Sequence, residues 1–512
     1  MVRQHCDSLA GAEMTSLEPF FAPFRKEIIG IDQLFSGPYG KRRILYADWT
    51  ASGRLFAPIE RRLTGSFGPY VANTHSESNV TGSTMTHAYH YAHRIIKEHV
   101  GAGTDDVIIT VGSGMTAVVN KFQRILGLRL PDQLSPFCLI PEEKRPVVFV
   151  THLEHHSNHT SWIETIARVE VIPPDEQGRV DLGKLQVLLA KYADRPIKIG
   201  AFSACSNVTG LTTPYHEMAR IMHAHGGVCF VDFAASAPYI EIDMHPAGDP
   251  SAGLDAVMFS PHKFLGGPGS PGVLVFNRSL YHNRVPDQPG GGTVLWTNPW
   301  QEHSFYEDIE TREDGGTPGF LQAIKAALAI RLKEAMGPDR IFAREQELTS
   351  LLFRGLRQIP GVHILADRIE DRLGIFSFYV EDVHYNLMVQ LLNDRFGIQA
   401  RGGCSCAGTY GHYLLHVDPS RSLRITRLID KGDLSMKPGW VRLSVHPTTT
   451  SQEAEAILEG VSECVLNAGR WASDYVYSSK TNEFRHHSHQ PNRAADVDRW
   501  FSGPWTGCCE EA

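Results

Sequence analysis

Two acid–base residues close successive apolar runs. Asp232 ends Phe230-Val231-Asp232, and Lys263 follows Ala256-Val257-Met258-Phe259 by way of Ser260, Pro261 and His262, ahead of the turn Gly266-Gly267-Pro268-Gly269. An amine in that setting forms a Schiff base with an aldehyde. A buried carboxylate keeps a pyridine nitrogen protonated, so that the ring withdraws electrons from a carbanion at Cα. That pair is what pyridoxal 5'-phosphate needs. A strand-end aspartate beside an ordinary surface lysine is the competing reading, because lysines are mostly exposed. The strand-like run before Lys263 and the partners below favour the cofactor.

Gly112-Ser113-Gly114-Met115-Thr116-Ala117 follows an apolar run and precedes a helix-like one, so its amides would point at an anion. The same glycines fit the dinucleotide pattern G-x-G-x-x-A. No acidic strand end follows about 20 residues later, as ribose binding would require, and a phosphate cradle is the better reading, with Ser260 and His262 as further donors. Glu154-His155-His156-Ser157-Asn158-His159 invites a zinc reading, but the spacing is neither H-E-x-x-H nor tied to a cysteine pair. No metal is expected there; taken alone the motif reads as polar loop histidines with no task, and beside the other motifs a flat imidazole stacked on a cofactor ring is the better use. Asn207, in Ser206-Asn207-Val208-Thr209-Gly210, would donate to the cofactor's phenolic oxygen, or simply form a turn.

Arg401-Gly402-Gly403-Cys404-Ser405-Cys406-Ala407-Gly408 is the second sharp signal. No second cysteine pair lies at finger spacing, so a single reactive thiol is expected, its thiolate favoured by a nearby cation such as Arg401. Arg442, within Trp440-Val441-Arg442-Leu443-Ser444, either forms a structural ion pair or binds a substrate carboxylate bidentately.

These residues need a scaffold. Runs rich in Val, Ile and Phe at residues 107–111, 147–150, 197–202, 228–231 and 273–276 alternate with helix-like stretches, the pattern of a mainly parallel sheet with crossover helices. Nearly every candidate falls just after one of these strands, where open α/β sheets bind ligands. A helix at about 320–335 leads into a second α/β pattern with a strand at 374–380. The reading divides the chain into an N-terminal arm (1–55), a large domain (56–310), a small domain with the cysteine loop (311–472) and a polar, His-rich tail (473–512). His223, His225 and the run at 486–489 are read as polar loop histidines with no task.

The 512 residues carry a net charge of −8, which gives no electrostatic footprint for nucleic acid. A small-molecule partner is expected. Residues 1–14 lack a secretory apolar stretch and no segment suits a membrane span, so cytosol is the default. Nine cysteines without repeated spacing do not make a disulfide scaffold. Cys138, Cys205, Cys229 and Cys464 are read as small core residues, and Cys508 and Cys509 end the tail.

Taken in order, these segments resemble the class V aminotransferases, most closely the cysteine desulfurase and selenocysteine lyase group, over about residues 45–465. The resemblance implies pyridoxal-phosphate fold type I: a large domain on a mainly parallel, mixed seven-stranded sheet and a smaller α+β C-terminal domain. It makes Lys263 the Schiff-base lysine, Asp232 the partner of the pyridine nitrogen, His155 the ring-stacking histidine and Asn207 a cofactor contact. Ser113, Gly114, Ser260 and His262 become phosphate contacts, and Thr293 of Gly290-Gly291-Gly292-Thr293 reaches the phosphate of the other subunit in a homodimer. Arg401, Gly403, Cys406 and Ala407 fit the family's Arg-x-Gly-x-x-Cys-Ala, which makes Cys406 the persulfide-forming nucleophile, and Arg442 matches the carboxylate-binding arginine. The implied reaction takes L-cysteine to L-alanine, with a sulfur-acceptor protein as a further partner. A transaminase, epimerase, C–S lyase or selenocysteine lyase, or a non-catalytic scaffold or sulfur relay, are the alternatives. The chain departs from the pattern in two places. Ala235 stands where the family has Gln or His, and the stretch between Cys406 and Arg442 is long.

Overall fold

The computed structural model describes residues 16–74, 77–489 and 493–503; the expectations for residues 1–14, Cys508 and Cys509 lie outside them. A seven-stranded sheet organises the first half. Its strands are β1 (Asp106–Val111), β2 (Val147–Thr151), β3 (Arg168–Ile172), β4 (Lys198–Ser203), β5 (Val228–Asp232), β6 (Ala256–Phe259) and β7 (Gly272–Asn277), in the spatial order β1-β7-β6-β5-β4-β2-β3. β7 runs antiparallel to β1 and β6, and the remaining pairs are parallel. Every residue of β2, β4 and β6 is buried, as expected of strands covered by helices on both faces. This is the expected mixed sheet of fold type I.

The apolar runs therefore identified the central strands. β3 escaped that reading because Arg168 and Glu170 interrupt its apolar residues. It is an edge strand paired only with β2, and charged side chains are common on edges. Helices α1 (Val80–His99), α2 (Met115–Ile125), α3 (Leu182–Lys191) and α4 (Tyr215–Ala224) flank the sheet. The registers Ser203↔Asp232 and Asp232↔Met258 bring the carboxyl ends of β4, β5 and β6 level. Polar residues just past these strands are thereby gathered at one rim.

After α5 (Phe320–Met336) and α6 (Pro338–Gln358), an antiparallel sheet forms from β8 (Val362–Ile364), β9 (Ile375–Val380), β10 (Arg401–Gly403) and β11 (Trp440–Ser444), in the order β8-β9-β11-β10. Leu348, Leu352, Phe376, Phe378, Leu443, Ile457 and Val461 fill its own apolar core with α6 and α9 (Ser451–Trp471). The long stretch between Cys406 and Arg442 folds as α7 (Gly408–Leu414) and α8 (Pro419–Ile429). Leu45–Tyr46 of the N-terminal arm pairs in parallel with Ile398–Gln399.

One sequence expectation needs correction. Cys205, Cys229 and Cys464 are buried, but Cys138 is exposed, because it follows the 3-10 turn Ser135–Phe137 in an exposed loop away from the sheet. Within the segment read as a polar tail, β12 (Tyr475–Ser478) and β13 (Glu483–His486) form a hairpin. It is fastened by Asn482 Nδ2 to Tyr385 Oη at 2.6 Å and by Tyr475 Oη to Asp394 Oδ2 at 2.9 Å. Among the described residues, no helix is long and apolar enough to cross a membrane.

Candidate active site

The rim formed by β4, β5 and β6 opens into a cavity of about 850 Å3. β5 delivers Asp232, and the 3-10 turn Pro261–Lys263 after β6 delivers Lys263. Burial pushes the Asp232 carboxyl up to about 7, against the Ala234 N–H donated to Oδ1 at 2.8 Å and the Lys263 charge. Burial likewise brings the Lys263 amine down to about 8, with Asp232 opposing. Both groups thus titrate near neutrality, a common property of groups that move protons. A cation placed against Asp232, such as a protonated pyridine nitrogen, would offset the burial cost and restore the carboxylate.

At the opposite end lies the glycine turn. Gly112 has φ +59° and Gly114 starts α2 without a side-chain cap of its own, so the positive end of the helix dipole would favour an anion here. Ser260 Oγ accepts the Met115 N–H at 2.9 Å, and His262 Nδ1 lies 2.8 Å from Ser113 O. A Cβ on Gly114 would sit 2.9 Å from His262 Cε1 and 3.2 Å from Ser260 Oγ. Ser113, Gly114, Ser260 and His262 all line the cavity, and a phosphate fits this donor-rich end.

β2 carries the histidine loop. The buried Glu154 carboxylate anchors it, accepting from Thr151 Oγ1 at 2.6 Å, Ser203 Oγ at 2.6 Å, Asn158 Nδ2 at 2.7 Å and the N–H groups of Thr151 and Ser203. His155 then faces the cavity. Its Nδ1 accepts the Ser157 N–H at 3.1 Å, and burial, reinforced by the Lys263 charge, lowers its pKa to about 3. The imidazole is therefore neutral, with its proton on Nε2.

The cysteine loop meets the histidine loop directly. His156 N–H donates to Cys406 O at 2.8 Å, and Gly408 N–H donates to His156 Nε2 at 2.8 Å. Asn207 Nδ2 donates to Ser405 O at 2.7 Å, so its amide holds the loop where the sequence reading had it donate to the cofactor. Ser405 and Cys406 have φ +51° and +57°. Non-glycine residues rarely adopt such values, and these three bonds hold them there. Cys406 is exposed and lines the cavity; Cys404 is half-buried, packs on the main core and does not line it.

β11 places Arg442 beside the site. Nη2 donates to Asp48 Oδ1 at 2.5 Å and Nη1 to Asn207 O at 3.1 Å. Asp48, Thr50 and Ala51 were missed from the sequence, although the short run 48–53 follows an apolar segment just as the recognised motifs do. Ala235 lines the cavity, so the bond of the family's Gln or His is lost. Thr293 does not line it; its Oγ1 donates to Gly290 O at 2.7 Å and accepts the Gly290 N–H at 3.1 Å. Among the described residues, Thr50 Oγ1, Asn207 Oδ1, Ser405 Oγ and Arg442 Nε are buried without a partner in the chain, and all four residues line the cavity. Buried polar groups are normally satisfied. The pocket therefore suits a polar ligand beyond the phosphate and ring contacts, and its residues fit pyridoxal phosphate.

The profile of the family described as Aminotransferase class-V matches residues 45–457. A probable cysteine desulfurase of Staphylococcus aureus (strain COL) is 28% identical over 382 residues, covering 74% of this chain and 85% of the relative. Probable cysteine desulfurase 2 of Mycobacterium leprae is 29% identical over 354 residues, covering 68% and 79%. Among solved structures, the apo cysteine desulfurase of Thermococcus onnurineus NA1 superposes with a TM-score of 0.68 at 22% identity, covering 87% of this chain and 98% of its own.

Proposed function

The chain belongs to the class V aminotransferase family, and from that premise we propose that it is a pyridoxal-phosphate-dependent cysteine desulfurase, moving sulfur from L-cysteine onto Cys406 and releasing L-alanine. One observation carries this reading: Cys406 lines the same cavity as Lys263 and Asp232. A buried, inert cysteine would not.

When bound, the cofactor supplies electron withdrawal at the substrate's Cα. The protein does the rest. Arg442, held in orientation by Asp48 and Asn207 O, takes the substrate carboxylate. Asp232 would keep the ring nitrogen protonated, and the N-terminal end of α2 with Ser260 and His262 would hold the phosphate. Lys263, with an amine titrating at about 8, takes the Cα proton as general base. The Cys406 thiolate then attacks the substrate sulfur. An S–S bond forms as the Cβ–S bond breaks, the electron pair stays with the carbon fragment, and that fragment gains a proton to become alanine. Neutral His155 is placed to pass protons at this face.

Cysteine consumption should yield equal amounts of alanine and sulfide in the presence of a reductant. Cys406→Ala should lose both while keeping the visible absorbance of bound cofactor; a variant as active as the wild type would end the persulfide reading. Ala235, where the resemblance expects Gln or His, favours one second reading, a class V transaminase or C–S lyase in which Cys406 is idle; pyruvate formed without alanine would select the lyase, and a keto acid that keeps its sulfur would select the transaminase. The desulfurase reading has Thr293 reach a partner subunit's phosphate in a homodimer and an acceptor protein collect sulfur from the exposed Cys406 in the cytosol.

A further inference from the structure

The four unpartnered buried atoms are not scattered around the cavity. Asn207 Nδ2 holds Ser405 O, Asn207 O holds Arg442 Nη1, and Arg442 Nη2 holds Asp48, two residues before Thr50. The Thr50 N–H in turn donates to Ser444 Oγ at 3.0 Å, on the strand that carries Arg442. Thr50, Arg442, Asn207 and Ser405 thus form one connected group around a single guanidinium. Unpartnered buried hydroxyls also occur outside the cavity, at Ser236, Ser270 and Thr349, whereas others bond to the backbone, as Ser377 Oγ does to Val208 O at 2.7 Å and Thr213 Oγ1 to Ser203 O at 2.7 Å. Thr50 and Ser405, 2% and 8% exposed, do not.

The charge arrangement explains what those hydroxyls would serve. Asp48 already neutralises Arg442, so the guanidinium meets an incoming anion with little net charge in its favour. Arg401 and Lys263 also line the cavity, and neutral donors beside the guanidinium would add to the affinity and fix the orientation. A carboxylate has room for about four hydrogen bonds. The free Nε–H and the two hydroxyls are donors of the right sign, whereas Asn207 Oδ1 is an acceptor suited to an amine beside that carboxylate. We infer that Thr50 and Ser405 are specificity residues that donate their hydroxyl hydrogens to the carboxylate of a small α-amino acid held by Arg442. This inference rests on the desulfurase reading only for the identity of that amino acid.

The test measures binding of 3-mercaptopropionate, which has a carboxylate and no amine, to the cofactor-loaded protein by calorimetry. Its neutral counterpart 3-mercaptopropionamide is the control. Thr50→Val keeps the side-chain shape and removes the hydroxyl; Ser405→Gly removes the other hydroxyl and suits a φ of +51°. Each substitution should weaken the acid by roughly ten- to a hundredfold, the scale of one hydrogen bond to a charged group, and leave amide binding and cofactor absorbance unchanged. Thr50→Ser should restore the acid. Acid affinity within twofold of wild type in both variants, equal weakening of acid and amide, or no preference of the wild type for the acid would each overturn the inference. A wild type that shows the expected acid pattern but leaves cysteine unconsumed would refute the desulfurase reading and uphold this one.

Discussion

The Lys263 amine gives the most direct quantitative prediction. Only the unprotonated amine attacks an aldehyde, and burial lowers its pKa from 10.5 to about 8. At pH 7 that raises the neutral fraction from about 0.03% to roughly a tenth, an increase of about 300-fold. Protein stripped of cofactor should therefore take up pyridoxal phosphate at a rate that climbs with pH and levels off with a midpoint near 8. The assay follows the visible absorbance of the lysine-bound cofactor, with Lys263→Ala as the blank. Asp232 opposes the lowering, so Asp232→Asn should shift the midpoint below that of the wild type while weakening the final complex. A rate still rising past the ordinary lysine pKa, or a midpoint that moves up in Asp232→Asn, would refute the argument that burial activates this amine.

Three further expectations follow from the anchoring contacts. Glu154→Ala leaves the buried donors of Thr151, Ser203 and Asn158 unsatisfied, and chemical denaturation should show a loss of about 3–5 kcal/mol; a loss below about 1 kcal/mol would mean the loop does not depend on this carboxylate. Burial lowers the His156 pKa, so its Nε2 is a free acceptor at neutral pH. As pH falls through that lowered value the ring gains a proton there and the Gly408 bond is lost. Hydrogen exchange at Gly408, corrected for its intrinsic pH dependence, should accelerate on the acid side, and a flat profile contradicts the assignment. Arg442→Lys replaces a planar fork by a single ammonium and should raise KM by about tenfold or more, with a smaller change in kcat; a KM within twofold of the wild type would remove Arg442 from substrate binding.

Most of the large sheet was legible because its central strands are buried on both faces and read as unbroken apolar runs. The same physics hid β3, whose edge position tolerates Arg168 and Glu170, and the hairpin β12–β13, whose alternating Tyr475-Val476-Tyr477 sits in polar text. At the site, Asp232, Lys263 and the Gly112–Ala117 turn stood out because each ends or follows such a run. Asp48 and Thr50 were overlooked for a different reason: their importance arises when the strand of Arg442, nearly 400 residues away in the chain, is folded against them, Arg442 donating to Asp48 at 2.5 Å and Ser444 accepting the Thr50 N–H at 3.0 Å. The role of Asn207 in holding the Ser405 carbonyl is likewise a matter of long-range placement. Local spacing carries no trace of it.

The contrast in exposure between Lys263's partner Asp232, buried at 5%, and Cys406, on the outer lip of the same pocket, divides the proposed turnover in space. Proton movements take place against the sheet, while the cargo atom ends on a thiol already at the surface, on a loop pinned by His156 and Asn207. Delivery then requires no breathing of the inner chamber. In the proposed enzyme a collector of sulfur would meet its cargo on that exposed thiol, away from the buried carboxylate.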